Sequence, residues 1–311
     1  KRYAAHKLLK KEPHITDKKN QMGNTKRRHT AASRKKAGQR PSLHAKGYLG
    51  ALILLFAFIA IMSAKSRWES NKTATTEQTS QIKGLEKVIT NPDLDEIIVD
   101  YAGMKISFNP TMHIPNWVAW ELTAAEANGT EERKDKFTAD NRVAGCPTPS
   151  DYSNSGYDRG HMAPAGDMKW SQLAMKESFY MTNICPQHKK LNAGSWKRLE
   201  EKCRDWAIAD SAIIIIAGPV LSEKITESIG ENKVCVPKRF FKVILSPYTN
   251  PPRAIGFVMP NGPVPGGMQA TAMSVDDVEH ITGHDFFSSL PQQTEQTVES
   301  QCQFHKWASI K

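Results

Sequence analysis

Asp151-Tyr152-Ser153-Asn154-Ser155-Gly156-Tyr157-Asp158-Arg159-Gly160-His161-Met162-Ala163-Pro164-Ala165 is the most informative stretch of the chain. Its glycines and scarcity of apolar residues predict a strand end running into a loop. It presents one histidine beside an arginine and an aspartate. Downstream come Thr182-Asn183-Ile184-Cys185-Pro186-Gln187, then Asn192, Trp196 and Leu199-Glu200. Residues 193–209 are helix formers, with Leu199, Cys203 and Trp206 at helical spacing, and predict a helix. On such a helix Asn192 and Glu200 are separated by ~12 Å of rise and about 80° of rotation, so both can face one side.

These residue types suit one chemistry. A neutral imidazole at His161 can take a proton near pH 7. Arg159 can set a planar guanidinium on phosphate oxygens. Asn192 offers an amide oxygen to a hard cation, and Glu200 can hold that cation's waters. A magnesium-like ion keeps several waters and takes few protein ligands, which fits this set better than a zinc cage does. Asp158 suits a turn, and can equally order the loop or orient a neighbour. A base, a positive centre, charge stabilisation and help for a leaving oxygen are what phosphodiester hydrolysis needs.

In this combination the chain resembles the DNA/RNA non-specific endonucleases of the ββα-metal (His-Me finger) group. Their Asp-Arg-Gly-His motif stands as Asp158–His161, their metal-binding asparagine as Asn192, their helical glutamate as Glu200, and an asparagine near the site as Asn183. The resemblance runs from about Ile97 to Leu290 and includes Ala217-Gly218-Pro219-Val220 and Thr282-Gly283-His284-Asp285. It implies Mg²⁺ (or Mn²⁺) dependence, no organic cofactor, and cleavage of DNA and RNA to 5′-phosphate ends. It also implies an upstream arginine on phosphate. Arg133 and Arg142 both flank Phe137-Thr138-Ala139-Asp140, and Arg133 is the preferred of the two. Relatives are often dimers, so a homodimer is expected from the resemblance alone. The competing reading is a membrane-tethered nucleic-acid-binding protein that keeps a degenerate nuclease fold.

The flanking sequence predicts an α+β fold with an antiparallel-dominated central sheet and flanking helices. Ile97–Tyr101 and Met104–Phe108 predict a hairpin around Ala102-Gly103. Trp117–Thr123, Phe240–Leu245 and Ala254–Met259 are further strand candidates. Ile213–Ala217 is an unbroken, mostly β-branched run that predicts a buried central strand. A second helix is expected over Val275–Ile281, capped by Ser274 and ended by Gly283.

The net charge of +10 is misleading. Residues 1–46 hold 15 of the 42 Lys and Arg but only two acids, Glu12 and Asp17, of 32. The remainder is slightly acidic, so polyanion binding there needs a local patch or a metal. Lys169, Lys189, Lys190, Lys197 and Arg198 are candidates for that patch. Residues 47–64 carry no charge and are apolar on every face. They predict one transmembrane signal anchor, preceded by a basic cytoplasmic tail at 1–46. A polar stalk over 65–90 and the nuclease domain over 91–311 are then expected outside the cytoplasm. All five cysteines (146, 185, 203, 235 and 302) follow the anchor, and their spacing suggests neither a zinc site nor a pairing.

Overall fold

The computed structural model describes residues 55–67 and 83–310. Residues 55–67 form a helix (α1), with Phe56 and Ile61 among its exposed side chains. No helix among the described residues is long and apolar enough to cross a membrane. The expected anchor at 47–64 is described only in its second part. Residues 47–54, the basic arm and 68–82 of the expected stalk lie outside the described residues.

The Ile-rich run forms the middle of the fold. The main sheet takes the order β1-β2-β3-β6-β9-β10-β11 and is antiparallel throughout. Its strands are β1 (Ile97–Asp100), β2 (Lys105–Asn109), β3 (Ile114–Thr123), β6 (Ala212–Pro219), β9 (Arg239–Ser246), β10 (Arg253–Pro260) and β11 (Ala272–Met273). Two ribbons stand apart from it: β4 (Asp158–His161) with β5 (Ile184–Gln187), and β7 (Ser228–Ile229) with β8 (Val234–Cys235). Every residue of β6 is buried. Alternate side chains point to opposite faces of a strand, so Ile213, Ile215 and Ala217 join one core while Ile214 and Ile216 join another. A strand covered on both faces needs no polar alternation, which is why its sequence reads as an apolar run.

The first core packs under α4 (Lys197–Asp210), through Leu199, Cys203, Trp206 and Ala207, and under the β4–β5 ribbon. The second packs under α5 (Val275–Thr282) and α6 (Gln292–Glu299), through Val275, Val278 and Val298. Ser274 caps α5, and Gly283 ends it in the left-handed region at φ 75°. The shorter helices are α2 (Ala124–Ala127), α3 (Gln172–Ser178) and α7 (Phe304–Ala308). Leu85 is buried, and Ile89 pairs with Asp285. All five cysteines are free thiols.

Two local expectations change. Asp158–His161 is a strand, not a loop, because it pairs residue for residue with β5, from Asp158 opposite Gln187 to His161 opposite Ile184. Gly160 is required there: a Cβ would collide with the Gln187 side chain that crosses it. The helix predicted from Ala193 starts regularly only at Lys197. Leu191–Trp196 is a wider π turn, broken at Gly194 (φ −109°, ψ −111°). The regular helical spacing assumed between Asn192 and Glu200 therefore does not apply.

Candidate active site

The ribbon and the kinked turn meet at a cavity of about 340 Å³. Its lining includes Arg133, Arg159, His161, Asn192, Lys197, Glu200 and Arg204. Five of the seven residues expected at the site thus converge, although they come from a loop, a strand, a π turn and a helix. The Trp196 indole N–H donates to the backbone oxygen of His161 (3.2 Å) and ties the two halves together.

His161 is buried among aromatic rings, with Phe179 edge-on at 5.0 Å and Phe137 at 5.3 Å between centroids. Burial, and then the charge of Arg133, push its imidazole down to about 3. It is neutral at physiological pH, and its Nε2 has no hydrogen-bond partner among the described residues. A buried polar atom left without a partner is costly and calls for an explanation. A substrate or water in the cavity supplies one.

Arg159 lies with its guanidinium carbon 5.4 Å from the Phe137 ring centroid and donates from Nη2 to the Pro149 carbonyl (2.8 Å). Its Nε is also buried without a partner. Arg133 is exposed, pairs with Asp135 and sits 5.4 Å over the Phe179 ring. Arg142 is elsewhere: it clamps Asp140 and lies 5.6 Å over Tyr101. Of the two upstream arginines, Arg133 is the one at the cavity.

Asp158 and Asn183 do not line it. Asp158 accepts a hydrogen bond from the Asn192 side-chain nitrogen (3.0 Å). An ionised carboxylate can only accept, so the amide must turn its NH₂ toward Asp158 and leave its oxygen free. Asn183 is fully buried. It accepts from Ala163 N–H (2.9 Å) and donates to the carbonyls of Ala163 (2.8 Å) and Ser178 (2.9 Å). It fixes the backbone two residues beyond His161 and meets no open space.

Burial lifts the Glu200 carboxyl to about 7, with the Lys242 charge opposing that rise most strongly. Lys242 is fully buried in β9, 4.5 Å from the Trp196 ring and 5.1 Å from the Trp120 ring, and its ammonium has no hydrogen-bond partner among the described residues. Nearby, buried Asp167 accepts from Arg204 (2.7 Å) and from Trp120 (3.2 Å). Neither Arg204 nor Lys242 belongs to the sequence motif. Arg204 lies one helical turn beyond Glu200, on the same face. Lys242 interrupts the apolar run Phe240-Phe241-Lys242-Val243-Ile244, and a charge inside a buried strand is itself a signal. Lys197 reaches the cavity, whereas Lys189 and Lys190 are simply exposed.

Among the described residues, no group of three His, Cys, Asp or Glu ligands gathers at this cavity. A cation there would rest on few protein atoms and keep its water, which suits Mg²⁺ better than zinc. The free Asn192 oxygen and the raised Glu200 carboxyl are donors of the right hardness.

A two-stranded ribbon, a helix and a basic cavity with His161 on its wall make up the candidate site. Residues 83–293 match the DNA/RNA non-specific endonucleases, and the chain belongs to that family. Among its relatives is the zebrafish mitochondrial nuclease EXOG, 38% identical over 210 residues, covering 62% of this chain and 61% of that protein. A nuclease from Nostoc is 35% identical over 211 residues, covering 63% and 74%. A solved structure of the EndoG/EndoGI complex aligns with a TM-score of 0.59 at 27% identity, covering 64% of this chain and 89% of that one. The chain spans 56–61% of the length of the vertebrate EXOG proteins it matches.

Proposed function

We propose that the chain is a metal-dependent endonuclease that hydrolyses phosphodiester bonds of DNA and RNA without sequence preference and leaves 5′-phosphate ends. The observation that carries this reading is the convergence of His161, Arg159 and Asn192 on one cavity, with unpartnered nitrogen atoms on the first two. His161 is the general base: it is neutral, and its free Nε2 can accept a proton from water. Arg159 and Arg133 bind the phosphate oxygens, and both guanidinium groups are held against aromatic rings. Asn192 holds the cation through its free amide oxygen. Asp158 orients that amide, and the Glu200 carboxylate accepts from the cation's waters. Mg²⁺, with Mn²⁺ as a substitute, supplies charge stabilisation for the phosphate and the departing 3′-oxygen when bound. Contacts to phosphate and sugar rather than base edges account for the lack of sequence preference.

The ββα-metal arrangement is part of the same proposal, with β4, β5 and α4 as its ribbon and helix. So is the topology: residues 47–64 as a signal anchor, 1–46 in the cytoplasm, a stalk at 65–90 and the nuclease domain at 91–311 outside. Its support is the uncharged apolar run with a strongly basic flank. Protease digestion of intact cells should remove the domain after the anchor. A homodimer is proposed from the family alone, and sedimentation of the purified chain tests it.

Cleavage of plasmid and RNA, with Mg²⁺ or with chelator, tests the activity. The chain should cut both only with metal, and His161→Ala should bind but not cut. Undiminished cutting by His161→Ala would overturn the assignment. Binding without cutting by the unaltered chain would favour the degenerate tethered protein instead.

A further inference from the structure

On the opposite face of the sheet, α5 and α6 bring three carboxylates together. Asp276 and Glu279 lie one turn apart on α5, and Glu299 lies at the end of α6. One carboxylate oxygen from each falls within 4.8 Å of the other two. None of the three lines the catalytic cavity.

An acidic cluster is common on protein surfaces, and Asp276 is indeed exposed. Glu299 differs. It is 3% exposed, and its Oε1 is buried with no hydrogen-bond partner among the described residues. Glu279 has one hydrogen bond, accepted from the Phe286 backbone N–H (2.7 Å). The charges acting most strongly on Glu299 come from Glu279, Glu295, Asp276 and Asp285, all negative. A buried oxygen without a partner calls for an explanation, and the charges acting most strongly on Glu299 include no cation.

We propose that Asp276, Glu279 and Glu299 bind a divalent cation of the calcium type, which cross-links α5 to α6. Calcium bonds to oxygen at 2.3–2.6 Å and tolerates irregular carboxylate sets. Ligands of such an ion lie at most roughly 4.6–5.2 Å apart, and the three carboxylate oxygens all lie within 4.8 Å of one another. An irregular set of three carboxylates suits calcium better than it suits the strict octahedron of Mg²⁺. Exposed Asp276 leaves the mouth open, so water completes the shell. The ion's role is structural: it holds α6 to the second core, where Val298 packs with Val275 and Val278.

The site does not depend on the nuclease reading. Calcium titrated calorimetrically into the chelator-stripped full chain in detergent, with Asn192→Ala to silence the cavity, should report one bound ion. Saturation should raise Tm, because a ligand that binds only the folded state stabilises it. Glu299→Gln in the same background should weaken binding at least tenfold. Asp276→Asn, at an exposed position that cannot upset the core, should weaken it as well. Mg²⁺-dependent cleavage by Asp276→Asn alone should match the unaltered chain. Calcium that produces neither heat nor a Tm shift at millimolar concentration, or binding undiminished in both variants, overturns the proposal.

Discussion

On one face of the central sheet, Ile213, Ile215 and Ala217 meet α4 and the β4–β5 ribbon; on the other, Ile214 and Ile216 meet α5 and α6. The two layers share strands and differ in the ionisable groups they enclose. The first surrounds its cavity with both signs: Asp167 and Glu200 with Lys242, Arg204, Arg159 and Arg133, beside a neutral His161. The second gathers Asp276, Glu279 and Glu299, of one sign. The first group holds more cations than carboxylates and leaves buried nitrogen atoms without partners among the described residues. A one-sign group is relieved by taking up protons or by binding a cation. The proposed reacting site and the proposed ion site thus share one apolar scaffold.

The sharpest way to break this comparison is to remove a group from each layer. His161→Ala should lower cleavage by about 10²–10⁴-fold, the usual worth of a positioned base, with little change in Tm. Phe286→Ala, in the second core, should do the reverse. It should cost about 3–5 kcal/mol of stability, as a buried phenyl ring typically does, and leave the rate per folded molecule intact. Chemical denaturation and single-turnover kinetics on the two variants read this directly.

A smaller effect is expected at Asp158. Asp158→Ala frees the Asn192 amide to turn, and Mg²⁺ affinity should fall about 10–100-fold, as when an outer partner of a metal ligand is lost. Titration of Mg²⁺ against cleavage rate measures it, and unchanged affinity would deny Asp158 its orienting role.

The smallest effects are in pH. Burial raises Glu200 to about 7, so the metal-free chain carries it protonated at pH 6 and ionised at pH 8. Apparent Mg²⁺ affinity should therefore rise with pH across that range, and Glu200→Gln should flatten the rise. His161 is held down at about 3 and stays neutral throughout. The profile of kcat/KM should show no acid break near 6.5, the ordinary histidine value. A break at that position would mean that His161 titrates as an exposed histidine.

Much of this was legible in the chain. The Ile213–Ala217 run, the Ala102-Gly103 hairpin and the caps Ser274 and Gly283 are local signals, and local chemistry carries them into the structure. His161, Arg159, Asn192 and Glu200 were legible as candidates because their types suit one reaction, whereas Arg133 came from the family resemblance and Arg204 from neither. What failed was geometry that depends on distant partners. Asp158–His161 reads as a loop until β5 pairs with it. The Asn192–Glu200 spacing reads as a straight helix until Gly194 breaks it. Lys242 carries no signal of its role in the strand candidate Phe240–Leu245, because that role depends on Trp120 and Trp196 closing around it. Asn183 reads as a residue near the site, and the structure shows how it acts there: two hydrogen bonds to the Ala163 backbone and one to the Ser178 carbonyl. The short polar helices α2, α3 and α7 form where tertiary packing selects them, and leave little periodicity to read.

The central claim is that the ribbon and the kinked helix form one site, with His161 and Asn192 acting as a unit. Single-turnover cleavage by His161→Ala, Asn192→Ala and the double variant tests it most directly. Groups that act together are strongly non-additive, so the double variant should be no slower than the worse single one. Losses that multiply in the double variant, or full activity in either single one, would contradict the account.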